Sequence, residues 1–228
     1  MLELFRLLGA SDSDENSKDV APKRPRRSMV DPAAWDQFWH DELTRGTAAF
    51  VDMFCSDGRL IDAMRANRLK TVLCVGNGIS QEPRALARAG FDVTALDLSP
   101  FATRMAAEVG ASDELLAHLL DGRSPRRKGR VQFVTGDLGD SALCPGPYDV
   151  VIERKTLQLF PDDERPAALR AVTNRVASPG IFFSQTHRGG QGRPTFPIAD
   201  WLNAEGWPRW QSNTPLTGRT AWLFSTSG

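Results

Sequence analysis

The chain of 228 residues is long enough for one domain with a sizeable hydrophobic core and a short tail. Lys+Arg and Asp+Glu are equal at 28 each, so no overall charge favours a nucleic acid or an acidic membrane surface as partner. The three cysteines and three histidines have no metal-ligand spacing, which argues against a zinc site, and no apolar run reaches the length of a membrane span.

The first 30 residues are predicted to be a flexible tail. Residues 11–27 are polar, charged and poor in aromatic side chains, so they bury too little apolar surface to offset the entropy of ordering. The basic run at residues 23–27 is interpreted as a solvated arm rather than a site for an acidic partner. The N-terminus lacks the features of a signal peptide, and the odd, scattered cysteines fit a reducing compartment, so a cytoplasmic protein is expected.

A single domain is predicted over residues 31–228, and its first part, residues 31–68, is expected to be a helical lid. Asp31 followed by Pro32 is typical of a helix start, with an N-cap before a proline at the first helical position. A second helical region is expected at residues 48–64. The apolar side chains of the first helix recur at helical spacing: Trp35, Phe38, Trp39 and Leu43.

From residue 71 onwards, short apolar strands alternate with helices. Strands are predicted at residues 71–75, 92–96, 131–135, 149–152 and 181–185. Helices are predicted at residues 82–89, 100–109, with a continuation towards 120, and 162–176. This alternation is typical of a doubly wound α/β domain, in which helices cover both faces of a parallel sheet.

The C-terminal part departs from this alternation. A helix at residues 198–204 is followed by two strands, at 207–213 and 219–226, with only a turn-rich link between them. Strands joined without a helix must pair antiparallel. The mostly parallel sheet is therefore expected to end in an antiparallel hairpin.

The first strand leads into a glycine-rich turn, Gly76-Asn77-Gly78. Glycines let the backbone turn sharply and leave room for a ligand against the main chain. Asp97 ends the next strand, where a carboxylate can accept hydrogen bonds from both hydroxyls of an adenosine ribose. An ordinary turn and a helix cap are the alternatives, but Ser99 is the better cap and leaves Asp97 for a ligand. Together these residues predict a nucleotide site.

The third and fourth strands also end in polar residues, and ligands of open α/β sheets bind at this edge. Asp137 is expected to accept a hydrogen bond from the exocyclic amine of adenine, while Leu138 packs against the adenine ring. Glu153 is expected to meet an ammonium group of the ligand, and Arg154 to hold an anionic or polar acceptor. A surface ion pair between Glu153 and Arg154 is the alternative.

The ordered segments VLCVGNGIS, TALDLS, TGDL and YDVVIE, followed by the hairpin, resemble the class I S-adenosylmethionine-dependent methyltransferases over about residues 71–226. The resemblance implies a Rossmann-like, doubly wound, seven-stranded sheet in the order 3-2-1-4-5-7-6, with strand 7 antiparallel. It implies S-adenosylmethionine as the cofactor and S-adenosylhomocysteine as the product. Two positions depart from the family pattern: Cys74 replaces a common acidic residue, for which Glu153 is expected to compensate, and Ser80 replaces a third glycine.

A narrower resemblance connects the chain to the thiopurine methyltransferase-like branch, which carries a W-x-x-x-W helix and a D-R-G-[AS]-L-type segment. Trp35 and Trp39 match the first pattern, and residues 153–157 (ERKTL) loosely match the second. This implies that the two tryptophans form a lid over cofactor and substrate, with packing in a core as the alternative. The predicted cofactor-binding residues are thus Gly76, Asn77, Gly78, Asp97, Leu98, Asp137, Leu138, Glu153, Trp35 and Trp39.

The chemistry implied by the resemblance asks little of the protein, because a sulfonium methyl group is already electrophilic. The protein has to align a nucleophile with it and exclude water. The candidate catalytic residues are His187, as a general base for an acceptor that must lose a proton, and Arg154. The basic segment 123–130 has no interleaved aromatic residues, so it is interpreted as a solvated loop and not as a nucleic-acid site.

The predicted function is transfer of a methyl group from S-adenosylmethionine to a small-molecule acceptor by in-line displacement, because the compact chain has no evident target-recognition module. A peptide or protein acceptor is the alternative within the same chemistry. An NAD-dependent oxidoreductase is an alternative of another class. The dinucleotide-binding motif G-x-G-x-x-G argues against it, because Gln81 occupies the position of the last glycine of that motif. A non-catalytic interaction protein that keeps the fold is the remaining alternative, with Cys74 as the sign of lost function.

Overall fold

The computed structural model describes residues 31–45, 58–108, 129–187, 209–214 and 219–225. Helices α1 to α5 span Pro32–Thr44, Gly58–Ala66, Glu82–Arg88, Pro100–Glu108 and Arg165–Thr173. Strands β1 to β7 span Thr71–Val75, Asp92–Asp97, Val131–Thr135, Tyr148–Arg154, Val176–His187, Arg209–Thr214 and Arg219–Ser225. A short 3-10 helix, Leu157–Leu159, follows β4.

Several predicted segments lie outside the described residues. They are the tail at 1–30, the first part of the helix at 48–64, the continuation of the fourth helix towards 120, the basic loop up to residue 128 and the helix at 198–204.

The strands form one sheet in the order β3-β2-β1-β4-β5-β7-β6. The five strands from β3 to β5 are parallel, whereas β7 pairs antiparallel with both β5 and β6. The α/β fold class predicted from the alternation of strands and helices is thus confirmed. In this register Val75 of β1 lies between Leu96 of β2 and Glu153 of β4, so the residues that follow these strands come together at one edge.

Both faces of the sheet are covered, as the apolar strands predict. Val72 and Cys74 of β1 belong to a buried cluster that includes residues of α2 and α3, while Leu73 and Val75 belong to a second cluster that includes residues of α5. This division follows from the strand geometry, because successive side chains point to opposite faces.

The helix starts agree with local capping rules. Asp31 caps α1 by accepting hydrogen bonds from the backbone N–H groups of Ala33, at 3.1 Å, and Ala34, at 3.3 Å. Proline occupies the first turn of α1, α3 and α5. Backbone N–H groups in this turn have no acceptor within the helix, so the N–H that proline lacks costs no helical hydrogen bond. The helix start predicted at Asp31 and Pro32 is confirmed.

One prediction about the helices is corrected, and another stays a prediction. The helix predicted at residues 162–176 ends at Thr173, and β5 begins at Val176, earlier than expected, because Val176 pairs with Tyr148 of β4. The lid predicted over residues 31–68 stays a prediction, and the apolar residues of α2 belong to the core: Leu60, Ile61 and Met64. Among the described helices, none is long and apolar enough to cross a membrane.

Candidate active site

A cavity of about 220 Å³ lies where the parallel strands end, and α1 forms one of its walls. This is the edge at which open α/β sheets bind ligands. The predicted residues that line the cavity are Gly76, Asp97, Leu98, Asp137, Leu138, Arg154, Trp35 and Trp39. Most of the predicted cofactor residues therefore meet at one place.

The strand order determines how these residues are arranged along the cavity. Asp137 follows β3, Asp97 ends β2, Gly76 follows β1 and Lys155 follows β4, and these four strands are neighbours in that order. Three inter-strand spacings of about 4.8 Å each give a span of roughly 14 Å. The cavity can therefore hold an elongated ligand laid across the strand ends.

The turn after β1 requires glycine at two positions. Gly76 has φ of 60°, and a side chain there would overlap Thr156. Gly78 has φ of 55°, and a side chain there would overlap the ring of Trp39. Because only glycine adopts this backbone without strain, the turn can pass close to both the loop after β4 and the aromatic face of α1.

Asp97 joins the glycine turn to the loop after β2. Its Oδ2 accepts a hydrogen bond of 2.6 Å from the Gly78 N–H, and its Oδ1 accepts one of 2.9 Å from the Ser99 N–H. The side chain of Ser99 caps α4 by accepting from the N–H of Ala102 at 2.9 Å, as expected. Asp97 is 9% exposed, and burial raises the pKa of its carboxyl group to about 6. Each carboxylate oxygen has a second lone pair for a ligand hydroxyl.

Asp137 and Leu138 occupy the part of the cavity that follows β3. The Asp137 Oδ1 accepts a hydrogen bond of 2.7 Å from the Gly139 N–H, which closes a local turn. Leu138 is 8% exposed and lines the cavity. Both positions are compatible with contacts to a purine ring, and their role in binding adenine stays a prediction.

Two predicted cofactor residues shape the turn without lining the cavity. The side-chain amide of Asn77 donates to the backbone oxygens of Gly78, at 3.1 Å, and Ser80, at 3.4 Å. The N–H of Gly78 is occupied by Asp97, and its Cα faces Trp39. The loop thus uses polar groups of Asn77 and Gly78 to stabilise itself, and contact of these two residues with the ligand stays a prediction.

Glu153 was expected to meet the ligand, which stays a prediction, and in the structure its carboxylate bonds within the protein. It is fully buried and does not line the cavity. Its Oε2 accepts hydrogen bonds from the N–H groups of Thr156, at 3.0 Å, and Leu157, at 3.2 Å, and its Oε1 accepts one from the Ser184 hydroxyl. Burial raises the pKa of the Glu153 carboxyl group above its usual value. Glu153 holds the turn after β4 because its oxygens satisfy that turn's backbone.

Arg154 lines the cavity, but its guanidinium is bound by another acidic residue, Glu82 of α3. Its Nε donates to the Glu82 Oε2 at 2.6 Å, and a second nitrogen donates to Oε1. A further donor reaches the Gln185 Oε1 at 2.5 Å, and the guanidinium lies 4.6 Å from the ring centre of Phe183. The side chains of Arg154 and Glu82 are 9% and 6% exposed. The surface pair of Arg154 with Glu153, considered from the sequence, is not formed.

Cys74 does not reach the cavity. It is 3% exposed within the core, and burial, aided by the negative charge of Glu82, raises the pKa of its thiol well above the usual range. The thiol is therefore a small apolar group of the core. Neither Cys74 nor Glu153 supplies a charge to the part of the site that the structure describes.

Helix α1 gives the cavity an aromatic wall. Trp35, Phe38 and Trp39 pack edge to face, with ring centres 5.4 and 5.0 Å apart along the series. Asp36 fixes this helix to the start of α4, since its Oδ1 accepts from the Phe101 N–H at 3.0 Å and from the Ser99 hydroxyl. The lid function of the two tryptophans stays a prediction.

The site residues predicted from the sequence leave out part of the cavity lining: Phe38, Glu42, Lys155, Thr156, Leu159 and Phe160. The last four lie in the segment after β4. The rule that ligands bind beyond the carboxyl ends of the strands, which predicted Arg154, could also have included them. His187 is the last residue of β5 and pairs with Arg219 of β7. Its side chain lies outside what the structure describes, so its role as a base stays a prediction.

A family model described as a methyltransferase domain matches residues 73–184, from β1 to β5. The chain carries a class I S-adenosylmethionine-dependent methyltransferase domain. S-Adenosylmethionine is its methyl donor. The described residues fit this cofactor, because Gly76 leaves a bare backbone beside the cavity and Asp97 presents an acceptor next to it.

Solved structures support the fold of this methyltransferase. Magnesium protoporphyrin IX methyltransferase from Synechocystis PCC 6803, with bound SAH, has a TM-score of 0.59 and 17% identity, covering 86% of this chain and 97% of its own. A DhpI complex with SAM and HEP has a TM-score of 0.57 and 18% identity, covering 84% and 94%. A TehB-like SAM-dependent methyltransferase from Corynebacterium glutamicum has a TM-score of 0.53 and 20% identity, covering 87% and 100%. A search of curated protein sequences finds no match.

Proposed function

We propose that this methyltransferase transfers the methyl group of S-adenosylmethionine to a small-molecule acceptor by in-line displacement. One observation carries the proposal: the cavity beside Gly76 and Asp97 is also walled by the aromatic residues of α1. A cavity between a helix and the strand ends suits a compact acceptor better than an extended peptide. The small-molecule ligands named for DhpI and the magnesium protoporphyrin enzyme support the same choice.

In the proposed arrangement the cofactor lies across the strand ends. Gly76 adjoins its methionine part, Asp97 accepts from the ribose hydroxyls, and Asp137 accepts from the adenine amine. Leu98 and Leu138 hold the purine ring through apolar contacts. These assignments follow the order in which β1, β2 and β3 deliver the residues to the cavity.

The bound cofactor supplies an electrophilic methyl group on a sulfonium. The protein then has to orient the acceptor and exclude water, and we assign these tasks to Trp35 and Trp39. His187 is proposed as the base for an acceptor that must lose a proton. Arg154 is assigned a positioning role, because Glu82 and Gln185 hold its guanidinium.

Binding of S-adenosylhomocysteine, measured by calorimetry, tests the cofactor assignment. The substitution Asp97→Asn removes the charge that the ribose hydroxyls meet, and hydrogen bonds to charged groups are each worth about 1.5–3 kcal/mol, so affinity should fall roughly 10- to 100-fold. Asp92→Asn is the matched control, since Asp92 is exposed at the other end of the same strand. The assignment would be refuted if Asp97→Asn bound S-adenosylhomocysteine as tightly as the wild-type protein does. It would also be refuted if the wild-type protein did not bind this ligand.

The acceptor class requires a second measurement. Purified enzyme is incubated with S-adenosylmethionine labelled in the methyl group and with a cell extract separated by ultrafiltration. Label is expected in a new compound of the small-molecule filtrate that chromatography separates from S-adenosylmethionine and that does not form without the enzyme. Label only in the retained protein or nucleic-acid fraction would contradict a small-molecule acceptor.

A further inference from the structure

The methyl donor and its product differ by one methyl group and one positive charge. S-Adenosylmethionine carries a sulfonium, and methyl transfer breaks the S–CH3 bond, whose electron pair returns to sulfur. The acceptor forms the new bond to the methyl carbon, and S-adenosylhomocysteine remains with a neutral thioether. A group of the protein that attracts a positive charge at the sulfur therefore binds the donor more tightly than the product.

The place of the sulfur in the cavity follows from the proposed arrangement of the cofactor. Gly76 adjoins the methionine part and Asp97 the ribose, and the sulfur atom joins these two parts. The two residues are close neighbours, because the Gly76 N–H donates to the backbone oxygen of Leu96 at 2.8 Å. The sulfur is therefore expected between the turn after β1 and the Asp97 carboxylate.

The ring of Trp39 lies at this junction. It lines the cavity, and a side chain on Gly78 would overlap its six-membered ring. The N–H of the same Gly78 donates to the Asp97 Oδ2 at 2.6 Å. One glycine thus separates the indole ring from the carboxylate that is expected to bind the ribose.

The aromatic wall of α1 has the chemistry that attracts a cation. Trp35, Phe38 and Trp39 pack edge to face, at interplanar angles of 78° and 75°. The π-electrons give each ring a negative face, and indole attracts a cation within about 6 Å of its centre more strongly than the other aromatic side chains do. Trp39 is half-buried, and shielding from water strengthens this attraction.

Charged side chains also line the cavity: Glu42, Asp97, Asp137, Arg154 and Lys155. Their charges act on a sulfonium whatever residue occupies position 39. A change at position 39 that leaves these side chains in place therefore measures the contribution of the aromatic ring by itself.

We propose that Trp39 is a specificity-determining residue that binds the sulfonium through a cation–π contact and thereby favours the methyl donor over the product. Loss of this contact after methyl transfer eases the release of S-adenosylhomocysteine. The inference rests on the proposed function, because it uses the proposed placement of the cofactor beside Gly76 and Asp97.

The test measures the affinities of the full chain for S-adenosylmethionine and S-adenosylhomocysteine by calorimetry, without an acceptor, so that no methyl transfer takes place. A cation–π contact strengthens binding roughly 2- to 30-fold, so the ratio of the first affinity to the second should fall by such a factor in Trp39→Leu. Trp39→Phe should retain part of the ratio. Phe101→Leu is the matched control and should leave the ratio unchanged, because the Phe101 ring contacts His40 of α1 but does not line the cavity.

Tetrafluorotryptophan in place of Trp39 separates the attraction of charge from packing. Fluorine atoms withdraw the electrons that make the ring face negative, while the ring keeps nearly the same shape against Gly78. The affinity ratio should fall as in Trp39→Leu, and the affinity for S-adenosylhomocysteine should change little. A ratio that stays constant in Trp39→Leu or in the fluorinated protein would overturn this inference alone, whereas a wild-type protein that binds neither ligand would also refute the cofactor placement.

Discussion

Asp97 has a structural role, and the same carboxylate is expected to bind the ribose of the cofactor. It holds the Gly78 N–H and the Ser99 N–H, and it keeps 9% of its surface exposed at the cavity. Burial favours the neutral form and raises the pKa of Asp97 to about 6, although three backbone donors, those of Ser99, Gly78 and Leu98, favour the charged form. The residue that is expected to bind the ribose is therefore poised to change charge in mildly acidic solution.

The affinity for S-adenosylhomocysteine should depend on pH through Asp97. Above about pH 7 the carboxylate is ionised and accepts from the ribose hydroxyls, whereas below its pKa of about 6 it is protonated and affinity falls by up to about tenfold per pH unit. Calorimetry from about pH 5 to about pH 8 measures this, and Asp97→Asn should remove the dependence. A wild-type affinity that stays constant over this range would contradict the assignment.

The same pKa shift gives the stability of the ligand-free protein a pH dependence opposite to that of ligand affinity: affinity rises with pH, whereas the contribution of Asp97 to stability falls. Because the folded-state pKa of Asp97 is raised to about 6, the folded protein holds this proton more tightly than the unfolded chain. The contribution of Asp97 to the free energy of unfolding is therefore favourable below its unfolded pKa and is lost as pH rises through about 4 to 6.

At the scale of secondary-structure elements, α1 depends on a small number of polar contacts for its position. Asp36 connects its middle turn to Ser99 and Phe101, at the start of α4. Asp97, the last residue of β2, accepts a hydrogen bond from the Ser99 N–H, so α1 is joined through Ser99 to the carboxylate that is expected to bind the ribose. Positioning of α1 and binding of the cofactor are thus expected to be coupled.

Asp36→Ala should release α1 from this contact. Loss of two hydrogen bonds to a carboxylate costs about 1–3 kcal/mol, so amide hydrogen exchange in residues 32–44 should increase and the affinity for S-adenosylhomocysteine should fall severalfold. Asp41→Ala is the control on the same helix, because the Asp41 side chain accepts from Gln37 of α1 itself. Unchanged exchange in Asp36→Ala would show that apolar packing alone holds α1.

At the scale of the whole molecule, the buried pair of Glu82 and Arg154 connects the helical layer to the sheet. Glu82 begins α3, Arg154 ends β4, and Gln185 of β5 contacts the same guanidinium. Removing one partner of a buried ion pair leaves an uncompensated charge, whereas replacing both with apolar residues often costs little. The pair should therefore behave as one unit in unfolding experiments.

Glu82→Met and Arg154→Met should each lower the free energy of unfolding by about 3–5 kcal/mol, and the double substitution should cost much less than their sum. Denaturant unfolding of the three variants and the wild-type protein measures the coupling. Additive losses would show that the two side chains stabilise the fold independently.

Local sequence signals predicted the described elements that they control directly. Short apolar strands such as β1, separated by helices, indicated a sheet with two covered faces, and Asp31 with Pro32 indicated the start of α1. Glycine at position 76 indicated a sharp turn, and Asp97 at the end of β2 indicated a hydrogen-bond acceptor beside that turn. Each signal depends on a few adjacent residues, so it can be read without knowledge of the fold.

The polar partners in the site were decided by the tertiary structure. Arg154 binds Glu82, which is 72 residues away in the chain, and not its neighbour Glu153, which turns to the backbone of its own loop. Burial decides such pairings, because a charged group excluded from water must take whichever partner the packed elements bring within hydrogen-bonding distance. The sequence by itself determined the order of elements and the edge of the sheet at which a ligand is expected to bind. The fold decided which charged groups line the cavity and which instead form hydrogen bonds within its walls.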